Sequence, residues 1–226
     1  NDLGEFQKAI NCYEKAIEIN PNHINAIKNV SILFRTVTLN NITEKNSSSL
    51  KKLFLFLFKR NDIDHRDISK NAILVLLANE NLNYFDDIFS EKDLLNNKII
   101  KNLLEEELLH LLLQKSLVRG ILLEKILTAL RKEILLNYFQ SNKKSLNKNL
   151  DFIISLSEQC FLNEYIFSET KEEINYVKKL KKYIEDEKNL SEIGVAILGC
   201  YIPLKSSINI TNKLLVHNSK NNLFGD

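Results

Sequence analysis

The sequence predicts an all-α protein, and three observations carry that expectation. Apolar residues recur at helical spacing along most of the chain, for example Leu123, Ile126, Leu127, Leu130 and Ile134, which form one continuous stripe. Only 2 prolines and 5 glycines occur among 226 residues dominated by Leu, Ile, Lys, Glu and Asn, so few turns are signalled and long helices are favoured. No stretch alternates with β-branched enrichment as a half-buried strand does. The expected architecture is a helical hairpin followed by an antiparallel multi-helix bundle or solenoid-like array.

Taken in order, the first elements lie in "LGEFQKAINCYEKAIEINPNHINAI", Leu3 to Ile27. Gly4 is read as closing a turn between two helices. Phe6, Ala9, Tyr13 and Ala16 recur on one face, and Pro21 stops the helix. A following helix starts at Ile24 and packs through Ile27, Val30, Ser31 and Phe34, leaving Asn25, Lys28 and Arg35 outside. After the polar break "NNITEKNSSS", helices are expected at Ser48 to Lys59 and His65 to Glu80. Ser90 with Asp93 reads as a capping box opening a further short helix. A leucine-rich helix is expected over Ile99 to Lys115, then others over Ile121 to Phe139, Leu150 to Phe167, Thr170 to Glu187 and Leu190 to Tyr201. Thr170 and Glu173 form a second capping box, ahead of the stripe Ile174, Val177, Leu180 and Ile184. "SNKKSLNKN", Ser141 to Asn149, is the clearest linker.

Composition excludes several classes of function. Hydrophobic residues are 44% and charged residues 27%, ordinary for a globular chain. With 31 basic against 29 acidic residues, no whole-domain field gathers nucleic acid or coats an anionic membrane. The longest apolar run, Leu53 to Phe58, is far short of the roughly 20 residues of a membrane span. Cys12, Cys160 and Cys200 are odd in number, widely spaced and preceded by no secretory signal, which reads as free thiols in a reducing cytoplasm. The chain starts at Asn1 and contains no methionine, so it reads as an internal piece of a longer product.

Candidate reaction centres fall away on spacing. "HRDISKN", His65 to Asn71, is one residue short of a kinase catalytic loop and lacks its glycine-rich partner. Asp62, Asp64, His65 and Asp67 lack the glycine and distal glutamate of a calcium loop, and an acidic first turn of a helix accounts for them. His110 beside Glu106 and Glu107 has no nucleophile to serve. The lysines of "YVKKLKKY" are balanced by Glu172, Glu173, Glu185 and Glu187. Gly194 and Gly199 have no phosphate-cradle spacing and suit close helix packing instead. The most crowded stretch is "QCFLNEYIFSETKEE", Gln159 to Glu173. On one continuous helix, Cys160 shares a face with Asn163 and Glu164, while Phe161 and Tyr165 take the adjoining face. No histidine base stands near, so Cys160, Asn163, Glu164 and Tyr165 read as a polar cluster that fastens helices or docks a domain. No catalytic residue, metal ligand or cofactor-binding residue is assigned, and no cofactor is expected in this chain.

Gly4, Phe6, Ala9, Tyr13, Ala16 and Pro21 stand in the order found in a tetratricopeptide repeat, and the chain resembles that family over residues 1–39. Ser31 stands where the next repeat usually has glycine, and the pattern is lost from Thr36 onward. One such unit cannot bury its own apolar face, so the resemblance implies more repeats upstream and a protein or peptide partner, with Asn25, Lys28 and Arg35 as contact residues. Residues 47–226 read as a separate all-helical domain, divisible at 141–149. "LLLQKSLVRGILLEKILTALRKEIL", "QCFLNEYIFSETKEE" and "LGCYIPL" together resemble the helical region that follows such repeats in bacterial proteins ending in a class I S-adenosylmethionine-dependent methyltransferase domain. Gln159, Cys160, Phe161, Asn163, Glu164, Tyr165, Tyr201, Pro203 and Leu204 agree in order. The later E-E-N-P-Y-P-R-W stretch and the glycine-rich cofactor strand of those proteins are not in this sequence. The resemblance implies a non-catalytic substrate-recognition or regulatory portion, whose partner is its own C-terminal catalytic domain. The alternative is a free-standing adaptor with no associated enzyme.

Overall fold

A computed structural model describes residues 2–40, 42–79, 82, 94–140, 146–186 and 191–206. Among the described residues there are ten α-helices and no strand, so the all-α expectation holds. They are α1 (Asp2–Ile19), α2 (Ile24–Thr36), α3 (Glu44–Phe58), α4 (His65–Asn79), α5 (Lys98–Leu104), α6 (Glu107–Lys115), α7 (Ile121–Phe139), α8 (Leu150–Leu162), α9 (Lys171–Asp186) and α10 (Glu192–Gly199). Two compact units result: Asn1–Phe85 with Glu106–Leu123, and Asp86–Glu105 with Glu124–Asp226. Residues 141–145 of the expected linker, and the expected capping box at Ser90 and Asp93, lie outside the described residues.

In the first unit α1 packs on α2, α2 on α4, α3 on α4, and both α3 and α4 on α6. The α1–α2 turn is made locally, by Asn20 accepting from the Asn22 amide and by the His23 amide bonding the Asn20 carbonyl. His23 caps α2, its Nδ1 accepting from the Ala26 amide at 3.1 Å. The inner face of α2 is the expected one: Ile27, Val30, Ser31 and Phe34 are buried, together with Ala26. Ser31 bonds its hydroxyl to the Ile27 carbonyl of its own helix, so it sits in the core satisfied. The Phe34 ring meets Phe54 of α3 at 4.6 Å between centroids. Gly4 departs from expectation, lying within the first turn of α1 instead of in a turn between helices. The first amides of a helix have no intrahelical partner, so glycine is tolerated there and need not mark a boundary.

The first unit is pinned by Asn71 of α4, which is fully buried. Its Nδ2 donates to the Phe34 carbonyl at 2.8 Å and the Val37 carbonyl at 2.7 Å, and its Oδ1 accepts from the Leu39 amide at 2.8 Å. Three backbone groups at the exit of α2 are thereby satisfied by one side chain. The exit of α3 is held similarly: Lys115 donates to the Phe58 carbonyl at 2.8 Å. His65 pairs with the Arg60 carbonyl and stacks on the Phe58 ring. The expected single helix Ile99 to Lys115 is two helices, α5 and α6. The break lies at Glu105 and Glu106, where the Glu106 carboxylate caps the Leu108 amide and is held by Lys51 of α3. A tertiary partner, with no glycine or proline, makes this interruption.

In the second unit α10 packs against α8 and α9. Helix α7 has the expected bounds, and its stripe Leu123, Ile126, Leu127, Leu130 and Ile134 is buried. Gly199 lies against α8, where a Cβ would meet the Ser157 Cβ at 3.2 Å; at Gly194 it would meet the Tyr138 hydroxyl at 2.9 Å. Both glycines permit close helix approach, as their spacing suggested. The Thr170–Glu173 capping box is formed in both directions, Glu173 accepting the Thr170 amide at 2.8 Å and Thr170 accepting the Glu173 amide at 3.2 Å. Val177, Leu180 and Ile184 are buried as expected, but Ile174 is 40% exposed and Glu173 takes the inward position.

Replacing Asn71 by alanine should lower unfolding stability by about 3 kcal/mol, because the carbonyls and amide it serves stay buried without it. Urea denaturation measures this, and a loss below about 0.5 kcal/mol would contradict the assignment. Burial holds the His65 pKa below its ordinary value, with the Lys115 charge acting the same way and the Arg60 carbonyl and Asp64 opposing. The folded state therefore resists protonation: the contribution is complete above the unfolded pKa of about 6.5 and is lost as pH falls through the lower folded value. Melting curves from about pH 7.5 to pH 5 should show a steeper loss in the wild type than in His65→Gln, and equal slopes would refute the linkage.

Candidate functional site

Two regions of the described structure carry the residues that the sequence singles out. The first is the outer row of α2. Asn25, Lys28 and Arg35 are all exposed, and Ile32, 47% exposed, lies in the same row. The periodicity that buries Ile27, Val30 and Phe34 leaves this row to solvent. Its two cations face acidic residues of the α3–α4 turn and α4: Lys28 acts on the carboxylate of Asp62, and Arg35 approaches Asp67 at 3.9 Å. Asp62 is also chelated by Arg60, both nitrogens at 2.7 Å, and Asp64 by Arg66. The Arg66 guanidinium holds Asp64 down to about 2. Each of the three aspartates weighed for a divalent ion thus has a cationic partner. His110 lies half-buried on α6, and the lysines of α9 lie mostly on its outer face, Lys179 over the Tyr176 ring.

The second region is the end of α8. The sequence predicted one helix to Phe167; α8 stops at Leu162, and Glu164 and Tyr165 adopt left-handed backbone angles, φ 56° and 61°. The Tyr165 amide reaches back to the Cys160 carbonyl at 2.8 Å, and Asn163 Oδ1 also accepts from the Tyr165 amide at 3.1 Å. This is a left-handed C-cap built without glycine, which accounts for its absence from the sequence reading. It separates the residues expected on one face. Cys160 is buried, Asn163 and Tyr165 are half-buried, and Glu164 is exposed. Asn163 bonds within its own turn. Phe161 and Ile166, 65% and 79% exposed, stand on either side of that turn.

Beneath the turn lies a buried network that sequence reasoning missed. Arg131 of α7, only 1% exposed, donates from Nη2 to the Ser168 carbonyl at 2.8 Å and lies 3.5 Å from Glu173 Oε1. Its guanidinium carbon sits 4.3 Å from the Tyr201 ring centroid. The Tyr201 hydroxyl donates to Glu173 Oε1 at 3.0 Å, and Glu173 Oε2 receives both the amide and the hydroxyl of Thr170. Burial drives the Tyr201 hydroxyl pKa far upward, so it remains a donor. Nε and Nη1 of Arg131 have no hydrogen-bond partner among the described residues. Cys160 and Cys200 are free and buried, and the Cys200 Sγ meets the Ala196 carbonyl at 3.4 Å and the Ile153 carbonyl at 3.7 Å. Contact with Cys200, then the Arg131 charge, draws the Cys160 pKa down against burial, whereas burial pushes Cys200 well up. The one available signal was an arginine inside the apolar stripe of α7, at the position after Leu130.

No group of three or more His, Cys, Asp or Glu side chains is placed to hold a metal among the described residues. No helix there is long and apolar enough to cross a membrane.

Comparison with known proteins adds one match: residues 1–23 fit the tetratricopeptide repeat family. No curated protein and no solved structure matches the chain. Residues 1–23 take in α1 and the turn into α2, so the outer row of α2 is borne by the helix that follows the matched repeat.

Removing Glu173 strands the Arg131 charge in the core. Glu173→Ala should therefore cost about 3–5 kcal/mol, against about 1–2 kcal/mol for Tyr201→Phe, which removes only a hydroxyl. Chemical denaturation of both variants tests the order, and a Glu173→Ala loss under about 1 kcal/mol would show that the pair is not coupled.

Proposed function

We propose that the chain is a non-catalytic helical interaction module that presents the outer row of α2 to a protein or peptide partner. The observation that supports it most is the row itself: Asn25, Lys28, Ile32 and Arg35 are exposed on the helix following a tetratricopeptide repeat, one apolar contact between two cations. Such a row suits a partner segment with an acidic residue at either end of an apolar anchor. Its cations exchange the weak interactions with Asp62 and Asp67 for those with the partner, which favours selectivity over raw affinity.

A second reading makes the partner a methyltransferase domain of the same product, and the module its substrate-recognition or regulatory portion. It is supported by the likeness of the Gln159–Glu173 and Leu198–Leu204 stretches to the helical regions of such proteins. The exposed Phe161 and Ile166 beside Tyr165 suit docking of that kind. The two readings separate by where the partner sits.

A photo-crosslinking residue at position 25 should capture the partner in cells, and one at position 161 should not if the first reading holds. With that partner purified, the double variant Lys28→Glu, Arg35→Glu should bind at least tenfold more weakly by calorimetry, about 1.4 kcal/mol. Unchanged affinity, or capture only from position 161, would overturn the α2 assignment.

A further inference from the structure

We propose that the groove between α1 and α3 receives a cationic side chain, arginine or lysine, of a peptide partner, with Glu14 and Glu18 meeting the charge and Ile17, Leu53 and Phe56 holding its aliphatic stem and an adjoining apolar residue. Two rows of identical spacing build the groove. From α1 and the turn after it, Glu14, Ile17, Glu18 and Pro21 stand at i, i+3, i+4 and i+7. On α3, Ser49, Lys52, Leu53 and Phe56 repeat that spacing, which keeps each row on one helix face. The rows line a common cavity of about 290 Å³, near the lower end of ligand pockets and sized for side chains instead of a whole helix. Ile17 and Leu53 are buried and Phe56 is half-buried, whereas Glu18, Pro21, Ser49 and Lys52 are exposed, so an apolar floor opens directly to solvent.

Charge selects the occupant. The half-buried Glu14 carboxylate accepts the Ser49 hydroxyl at 2.9 Å, and Glu18, one turn on, brings a second negative charge to the same wall. Neither glutamate makes an ion pair among the described residues. The exposed Lys52 on the opposite rim is one cation against these two carboxylates. Arg60 borders the far end, donating to the Pro21 carbonyl at 3.3 Å, but Asp62 chelates it through two nitrogens at 2.7 Å. Burial, with the Glu18 charge in support, holds the Glu14 pKa above its ordinary value against the Ser49 bond. A cation seated between the glutamates offsets both the lost hydration and the repulsion, and a neutral or acidic segment offsets neither. Arginine and lysine fit because each carries its charge at the end of an apolar stem. The Phe56 ring already meets one guanidinium, that of Arg60, 5.5 Å from its centroid. The outer row of α2 calls for an acidic segment and shares no residue with this groove, so the proposal does not rest on that reading.

The test titrates the isotope-labelled full chain with three blocked peptides, acetyl-Leu-Arg-Leu-amide and its citrulline and glutamate counterparts, and follows backbone amide shifts by NMR. The arginine peptide should shift the amides of residues 14–18 and 49–56 saturably, with a Kd on the order of 1 mM for so small a ligand. The citrulline peptide, which keeps the shape and loses the charge, should bind at least about tenfold more weakly. The glutamate peptide should leave those amides in place. Glu14→Gln combined with Glu18→Gln should weaken the arginine peptide by at least about tenfold, although the new amide oxygen at position 14 can still accept from Ser49. If that variant does not fold, Glu18→Gln alone, at an exposed position, should weaken it by at least about threefold. Equal affinity for the citrulline peptide, no saturable shift with the arginine peptide, shifts confined to α2 or to the second unit, or unchanged affinity in the glutamine variants would each overturn the proposal.

Discussion

Stacked helices bury the ends of one another's connections, and backbone groups buried there must find partners within the protein. In each unit one buried polar side chain meets that constraint from a neighbouring helix. Asn71 reaches from α4 to the carbonyls of Phe34 and Val37 and the amide of Leu39, fixing the exit of α2. Arg131 reaches from α7 to the Ser168 carbonyl and, with Glu173 and Tyr201, fixes the passage from α8 into α9. The apolar stripes hold the helices together without direction; these side chains select where each connection lies.

Asn71 has every polar atom engaged, whereas Arg131 leaves two nitrogen atoms without an acceptor among the described residues. A fully satisfied amide adds specificity to a core at little risk. A partly satisfied guanidinium keeps a charge field in place, and that field draws the Cys160 thiol pKa down as well as acting on Cys200. The same network is therefore both a structural pin and the source of the thiol's environment. On α2 the charges are at the surface, where each counter-ion is readily exchanged and screening leaves little net stability. The outer row of α2 is in that sense available to a partner in a way that Arg131 is not.

The sequence made the helices legible where local signals and packing agree. The α7 stripe and the Thr170–Glu173 capping box are examples, and the inner face of α2 followed from its period alone. It was not legible where a tertiary partner sets the outcome. The interruption between α5 and α6 depends on Lys51 meeting Glu106. The stop of α8 uses left-handed glutamate and tyrosine where glycine is the usual signal. On α9 the pattern placed Ile174 inward, yet Glu173 is buried because Arg131 and Tyr201 await it there. Cys160 was singled out, but as part of a single polar face with Asn163 and Glu164. The α8 turn separates those residues and leaves Cys160 buried within the charge field of Arg131, which no spacing announces.

The most direct measurement is amide hydrogen exchange in the native chain, read at Leu39 and Thr170. Neither residue is helical, and each amide is bonded only to a side chain in the described structure, Asn71 for one and Glu173 for the other. If buried polar side chains pin the connections, both amides exchange slowly, at rates approaching those of the helical amides beside Asn71 and Arg131. Exchange at the unprotected rate of a free loop at both positions would contradict the account.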